Sequence, residues 1–330
     1  MMAVQGGPSP NVARAAALVE AGRTQEAVRL LESSAAADDP EALYTLAMCR
    51  VSGQLLPRDL QAAKQLFGRA AAAGDAESAQ IHVAFVAHGA GGDADWTKGV
   101  GMLADLAGSD ETARRQLALI HKMALTDGGD PLSVPQAERL SQSPEVHCVR
   151  ALFTPDECAF LIEAAVPRLQ RALVTDRATG RLVQTQVRTA DTAPFPLIAE
   201  NPAVHALNRR MAAASGTTVE QGEPLQVLRY TPGQEYRAHF DALAAGSNQR
   251  VLTMLVYLNE GYEGGETAFL QTGLKFKGRT GDALLFRNAS ADGQPDPMSQ
   301  HAGLPVTRGT KMIASRWIRA RPIDLSRPLT

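Results

Sequence analysis

Residue types recur every 36 positions through the first 125 residues of the chain. Ala27, Ala63 and Gly99 share this register, as do Leu30, Leu66 and Met102, then Leu31, Phe67 and Leu103. A second register agrees, with Glu41 and Glu77 36 apart and Glu111 following after 34. Within a unit, apolar and small residues return at helical spacing, as in Leu60, Ala63, Leu66, Phe67 and Ala70. Gly22, Gly53, Gly74 and the Gly89 to Gly92 run punctuate the helices. A fixed period in the thirties built from helix pairs predicts an α-solenoid. Each unit buries its apolar face only against its neighbours, so about three must stack into one domain.

The stretch from Pro57-Arg58-Asp59 through Ala62-Ala63, Ala70-Ala71-Ala72 and Gly74-Asp75-Ala76 resembles Sel1-like and tetratricopeptide repeats. The match is good in the middle unit and degraded in the last. Such repeats imply either a concave face for a peptide or protein partner, or a packing and dimerisation module. Tyr44, Phe67, Phe85 and Trp96 are the aromatic residues available to it. From 126 to 145 the chain is rich in Gly, Pro, Asp and Ser and reads as a linker, with a short helical turn expected at Ala137 to Ser141.

After Glu145 the texture changes. Short β-branched runs at Val146 to Leu152, Leu225 to Arg229, Val251 to Leu258, Ala283 to Phe286 and Lys311 to Ile318 predict strands. Turn chemistry separates them, and two amphipathic helices interrupt, at Pro155 to Val166 and Asn201 to Ser215. Many short antiparallel strands with helices outside predict a jelly roll over 146–330. The whole is an α+β chain with a helical repeat domain over 1–125 and a double-stranded β-helix after the linker.

Chemistry concentrates in Tyr236-Arg237-Ala238-His239-Phe240-Asp241. Residues two apart in a strand share a face, so His239 and Asp241 project together while Phe240 faces the other sheet or the core. His301 lies 60 residues beyond Asp241. Two imidazoles and one carboxylate form a facial triad that leaves coordination positions open on a divalent metal, as a 2-oxo acid and dioxygen require. Lys311 follows His301 by ten residues, enough to return on the adjacent strand and offer an ammonium to a carboxylate. Tyr230 could donate to the same group.

In order, Gln226 to Gly233, the His239–Asp241 pair, Thr253 to Asn259, Gly264-Gly265-Glu266-Thr267, Gly281 to Phe286, His301 to Val306, Gly309, Lys311 and Trp317 resemble the catalytic domain of the prolyl 4-hydroxylase alpha-subunit family. Phe153 to Ile162, with Cys158, is similar to that domain's entry helix. The resemblance covers roughly 146 to 320. It implies iron(II) on His239, Asp241 and His301, with 2-oxoglutarate and dioxygen as co-substrates, succinate and carbon dioxide as co-products, and ascorbate or another reductant in support. It places Lys311 at the 2-oxoglutarate carboxylate, with Tyr230 and Thr253 as further co-substrate contacts. Tyr236, Arg188 and Trp317 are substrate candidates, and Thr175 to Thr189 a lid. The glycines before Glu266, and Glu266 itself, read as hairpin geometry. Halogenating relatives carry a small residue in place of the carboxylate ligand, so an intact Asp241 favours hydroxylation. Gln300 departs from the apolar residue usual before the distal histidine, and loops Ala242 to Arg250 and Asn288 to Ser299 fall in the variable parts. The substrate is therefore a prolyl residue in a peptide or protein, or a free or carrier-bound cyclic amino acid. A repeat scaffold with an inert jelly roll is the reading outside catalysis.

The net charge of −2 gives no electrostatic ground for a nucleic-acid or anionic-membrane partner. The basic run Arg316 to Arg321 reads as a solvated strand end. No apolar run approaches the roughly 20 residues that cross a bilayer. The first ten residues lack the basic and apolar segments of a secretory signal. Cys49, Cys148 and Cys158 are sparse and odd in number, which predicts reduced thiols in the cytoplasm.

Overall fold

The computed structural model describes residues 9–172, 174–175, 182–183, 187–243, 248–290, 292–325 and 327. Among these, helices come first: α1 (Pro10–Glu20), α2 (Thr24–Ala36), α3 (Pro40–Ser52), α4 (Leu60–Ala72), α5 (Ala76–His88), α6 (Trp96–Ala107) and α7 (Glu111–Ile120). The 36-residue period is the spacing of whole helices, since α2, α4 and α6 start at Thr24, Leu60 and Trp96. Asp39, Asp59, Asp75, Asp95 and Asp110 cap α3 to α7, each carboxylate accepting from backbone N–H groups of the first turn. A Cβ on Gly99 would lie 2.6 Å from the Ala87 methyl, so glycine there lets α6 press onto α5.

The second half runs β1 (Ala137–Gln142), β2 (Glu145–Val149), α8 (Pro155–Ala165), β3 (Gln170–Arg171), β4 (Val174–Thr175), β5 (Leu182–Val183), β6 (Asp191–Phe195) and α9 (Pro202–Ser215). It continues with β7 (Leu225–Tyr230), β8 (Tyr236–His239), β9 (Arg250–Tyr257), β10 (Glu263–Gly264), β11 (Thr267–Phe269) and β12 (Lys275–Phe276). The last strands are β13 (Ala283–Arg287), β14 (His301–Gly303), β15 (Val306–Arg308) and β16 (Lys311–Arg319). An eight-stranded sheet, ordered β1-β2-β13-β9-β16-β7-β6-β3, faces a four-stranded sheet ordered β12-β11-β14-β8. This is the expected jelly roll following the expected helical repeats.

Alternation along the central strands builds two cores. Leu255 and Tyr257 of β9 point between the sheets, where they join Phe269, Phe286 and Ile313. Met254 and Val256 point outward into a second core that holds Leu161 of α8, Leu207 of α9, and Trp96, Leu103 and Ile120 of the last repeat. One apolar cluster therefore spans the repeats and the sheet.

Two local expectations fail, and one further segment makes contacts that its composition does not announce. Ala137 to Ser141 is not a helical turn but lies within β1, which pairs antiparallel with β2 at the sheet edge. A partner strand overrides the local preference of five residues. The stretch read as a linker is also anchored, because Arg209 of α9 bonds Asp130 at 2.7 Å and Gly129 lies against Trp96. Finally, Arg316 and Arg319 are buried, not solvated. β16 lies between β9 and β7 with both faces covered. Arg316 donates to the carbonyls of Asn208, Val219 and Glu223, and Arg319 to the Glu223 carboxylate.

Candidate metal centre and co-substrate pocket

His239 and His301 face each other across the four-stranded sheet, because the β8–β14 pairing sets them directly opposite in register. Asp241 follows β8 and turns its carboxylate between the two rings. Its Oδ1 lies 3.7 Å from His239 Nε2 and its Oδ2 3.6 Å from His301 Nε2. All three donor atoms fall within 4.8 Å of one another, and among the described residues this is the cluster suited to a metal ion.

The tautomers suit ligation. His239 Nδ1 contacts the Arg237 carbonyl at 2.8 Å, and His301 Nδ1 contacts the Ser299 carbonyl at 2.9 Å. A carbonyl only accepts, so each Nδ1 carries the proton and each Nε2 lone pair is bare toward Asp241. Burial and the neighbouring His301 lower the His239 pKa to about 4, which keeps that ring neutral. Burial pushes the Asp241 carboxyl upward, but the two imidazoles and the Thr253 hydroxyl outweigh it and hold the group ionised. Two neutral nitrogens and one anionic oxygen, buried together, fit a divalent transition metal.

Lys311 reaches this pocket from the opposite sheet. It starts β16, which pairs with β7 and β9, rather than returning on the strand beside His301. Its side chain is 2% exposed and its Nζ donates to the Gly265 carbonyl at 2.6 Å. Gly265 has φ +70, and its missing Cβ would stand 3.1 Å from Lys311 Cδ, so the hairpin reading of this glycine acquires a purpose. Burial lowers the Lys311 pKa to about 7, with Glu266 opposing weakly. Among the described residues this ammonium makes no ion pair within 4 Å, and a bound carboxylate would supply one.

Tyr230, Tyr236, Arg188 and Trp317 all line the same cavity as the triad and Lys311. The Tyr236 ring stacks on His239 with centroids 3.4 Å apart, and Arg188 lies over that tyrosine at 5.3 Å. Burial raises the Tyr230 phenol above its ordinary range, with Arg188 opposing through charge and a hydrogen bond. Trp317 is covered by the Arg250 guanidinium at 3.9 Å.

Thr253 is placed differently from its expected co-substrate role. Its hydroxyl donates to Asp241 Oδ2 at 2.7 Å, so its one proton is already committed. Phe240 also departs from expectation, being 37% exposed instead of turned into the core. Asp241 lies just past the end of β8, where strict alternation stops. Thr267 was overlooked: buried, lining the cavity, and bonded to the Tyr257 hydroxyl at 2.9 Å. Its signal is its place in the Gly264 to Thr267 motif, which carries part of the family resemblance. The lid expected at Thr175 to Thr189 lies largely outside the described residues.

A larger cavity of about 380 Å³ lies between the repeats and the strand carrying Arg316. Among its polar groups, Glu200 contacts His205 at 2.8 Å and Arg316 is held by carbonyls. Size alone does not make it the reactive site. The smaller pocket holds the convergent ligands.

The profile of the 2OG-Fe(II) oxygenase superfamily matches residues 225–319, which include the triad and Lys311. Prolyl 4-hydroxylase 1 of Arabidopsis thaliana is 37% identical over 203 residues, covering 56% of this chain and 72% of that protein. The crystal structure of a viral collagen prolyl hydroxylase from Paramecium Bursaria Chlorella virus-1, in its 2OG complex, aligns at a TM-score of 0.42 and 28% identity, over 53% of this chain and 96% of the other. A Sel1 repeat protein from Oxalobacter formigenes aligns at a TM-score of 0.31 and 20% identity, over 34% of this chain and 88% of that one. Given the extent of the match to the Arabidopsis enzyme, this chain belongs to the prolyl 4-hydroxylase family and is an iron(II)- and 2-oxoglutarate-dependent dioxygenase.

Proposed function

We propose that the enzyme hydroxylates a prolyl residue of a peptide or protein, using His239, Asp241 and His301 to hold iron and Lys311 to hold 2-oxoglutarate. The observation that carries this reading is the buried Lys311 ammonium, which lines one cavity with the triad and donates to the Gly265 carbonyl. Bound iron supplies activation of dioxygen, coupled to loss of carbon dioxide from 2-oxoglutarate and formation of succinate.

The protein's own part is to bind, orient and exclude water. Lys311 pairs with the distal carboxylate of the co-substrate, and Tyr230, whose ring centre is 5.3 Å from Nζ, donates its hydroxyl to the same group. Leu228, Leu255 and Ile313 form a dry wall beside it, which strengthens that ion pair. Arg188 adds a cation beside the Tyr236 and Trp317 rings on the substrate side, apt for a proline ring and its flanking carbonyls. Ascorbate or another reductant supports turnover, and the three free, buried thiols suit a reducing cytoplasm.

A peptidyl substrate is favoured over a free amino acid because relatives such as prolyl 4-hydroxylases 1 and 2 of Arabidopsis thaliana are named for a prolyl substrate. The test incubates the enzyme with iron(II), 2-oxoglutarate and ascorbate, offering either a proline-rich peptide or free proline and pipecolic acid. Succinate release with gain of one oxygen atom on a peptidyl proline is the expected result. Oxygen gained only on the free amino acids would replace this reading with the alternative, in which the repeats are structural.

A further inference from the structure

We infer that Asn288 is a positioning residue for the metal centre, tying the carboxylate ligand and the distal histidine to one buried point. The inference rests on the metal-site reading above. Asn288 is 0% exposed and immediately follows β13. Its Nδ2 donates to Thr253 Oγ1 at 2.8 Å, and that hydroxyl donates onward to Asp241 Oδ2 at 2.7 Å. The direction of this relay is forced. Asn288 Nδ2 can only donate and the ionised Asp241 can only accept, so the single Thr253 proton must point at the carboxylate.

The same residue holds the second ligand through its backbone. The Asn288 carbonyl accepts from Asp296 N at 2.9 Å. Asp296 caps the turn Pro297–Ser299, its carboxylate accepting from Met298 N and its carbonyl accepting from Ser299 Oγ. Ser299 then offers the carbonyl that fixes His301 Nδ1. Asp241 and His301 are thus referred to one residue, through a side chain in one direction and a main chain in the other. Ligand orientation by outer hydrogen bonds commonly changes metal affinity by about 10- to 100-fold.

The test is anaerobic calorimetric titration of the full-length chain with iron(II), repeated with manganese(II) as an air-stable probe. Thr253→Val is isosteric and removes the relay proton; Thr253→Ser restores it; Asn288→Ala removes its donor. The expected result is iron affinity weakened about 10- to 100-fold in Thr253→Val, weakened in the same sense in Asn288→Ala, and near wild type in Thr253→Ser. The double variant should bind no more weakly than Thr253→Val, because among the described residues the Asn288 side chain bonds that hydroxyl alone. At saturating iron the 2-oxoglutarate requirement of Thr253→Val should stay close to wild type. Wild-type affinity in both single variants, or additive losses in the double, overturns the inference while leaving the metal site intact. Failure of the wild type itself to take up metal overturns the metal-site reading and this inference together.

Discussion

Lys311 is held in a place that resists its charge. Two tyrosine rings, Tyr230 and Tyr257, lie within 5.3 and 5.4 Å of its Nζ, and burial leaves its pKa near 7. A dianionic co-substrate beside it favours the ammonium and raises that value. Above about pH 7 the free site is increasingly neutral, so binding must take up a proton and affinity falls as pH rises. Calorimetry of 2-oxoglutarate binding in buffers of different ionisation enthalpy should show proton uptake above pH 7 and little below it. Lys311→Ala should raise the 2-oxoglutarate requirement by about 30-fold or more, from the roughly 2 kcal/mol or more such a buried pair contributes. An unchanged requirement would remove its assigned role. At this scale the triad residues were legible, because the two-residue spacing of His239 and Asp241 predicts a shared direction, kept even though Asp241 lies past the end of β8, and the ordered motifs bring in His301. The direction of the Thr253 hydroxyl was not. It depends on Asn288, 35 residues away and brought near by the pairing of β13 with β9.

Among elements, the repeat phase was legible to the residue, because equivalent helices must bury equivalent faces. Trp96 shows what the period could not say. It starts α6, yet its ring lies beneath Gly129 with Arg209 at 5.9 Å, committed to the junction with α9. Phe67 and Phe85 are fully buried as well, leaving Tyr44 as the repeat aromatic with more exposed area. These placements commit Phe67, Phe85 and Trp96 to packing. β1 was missed for a related reason, since its partner β2 rather than its own five residues makes it a strand. Leu103 of α6 is wholly buried in the cluster that also holds α8 and α9. Leu103→Ala should therefore cost about 2–5 kcal/mol, measured by urea denaturation. A loss below about 1 kcal/mol would mean that α6 does not support the sheet.

For the molecule as a whole, the shared cluster means that repeats and jelly roll are energetically coupled. Lys122–Asp156 at 2.7 Å and Arg115–Glu163 at 3.3 Å cross the same boundary, but as exposed pairs they add little beside the apolar contact. Heating the full chain should give one cooperative transition, followed together by far-ultraviolet dichroism for the helices and tryptophan fluorescence at the junction. Two well-separated transitions would contradict the coupling. The sequence division into a repeat domain, a linker and a catalytic domain carries no sign of this coupling, because a cluster joining Trp96 to Leu207 is a property of packing alone.

The account depends most on three side chains sharing one metal ion. Anaerobic titration of iron(II) into wild type, His239→Ala, Asp241→Ala and His301→Ala tests it directly, with dichroism confirming that the helices stay folded in each. The account predicts one ion bound per wild-type chain, binding lost or strongly weakened in every variant, and no turnover by the His239 and Asp241 variants. Wild-type uptake by any of the three variants, or none by the wild type, would contradict it.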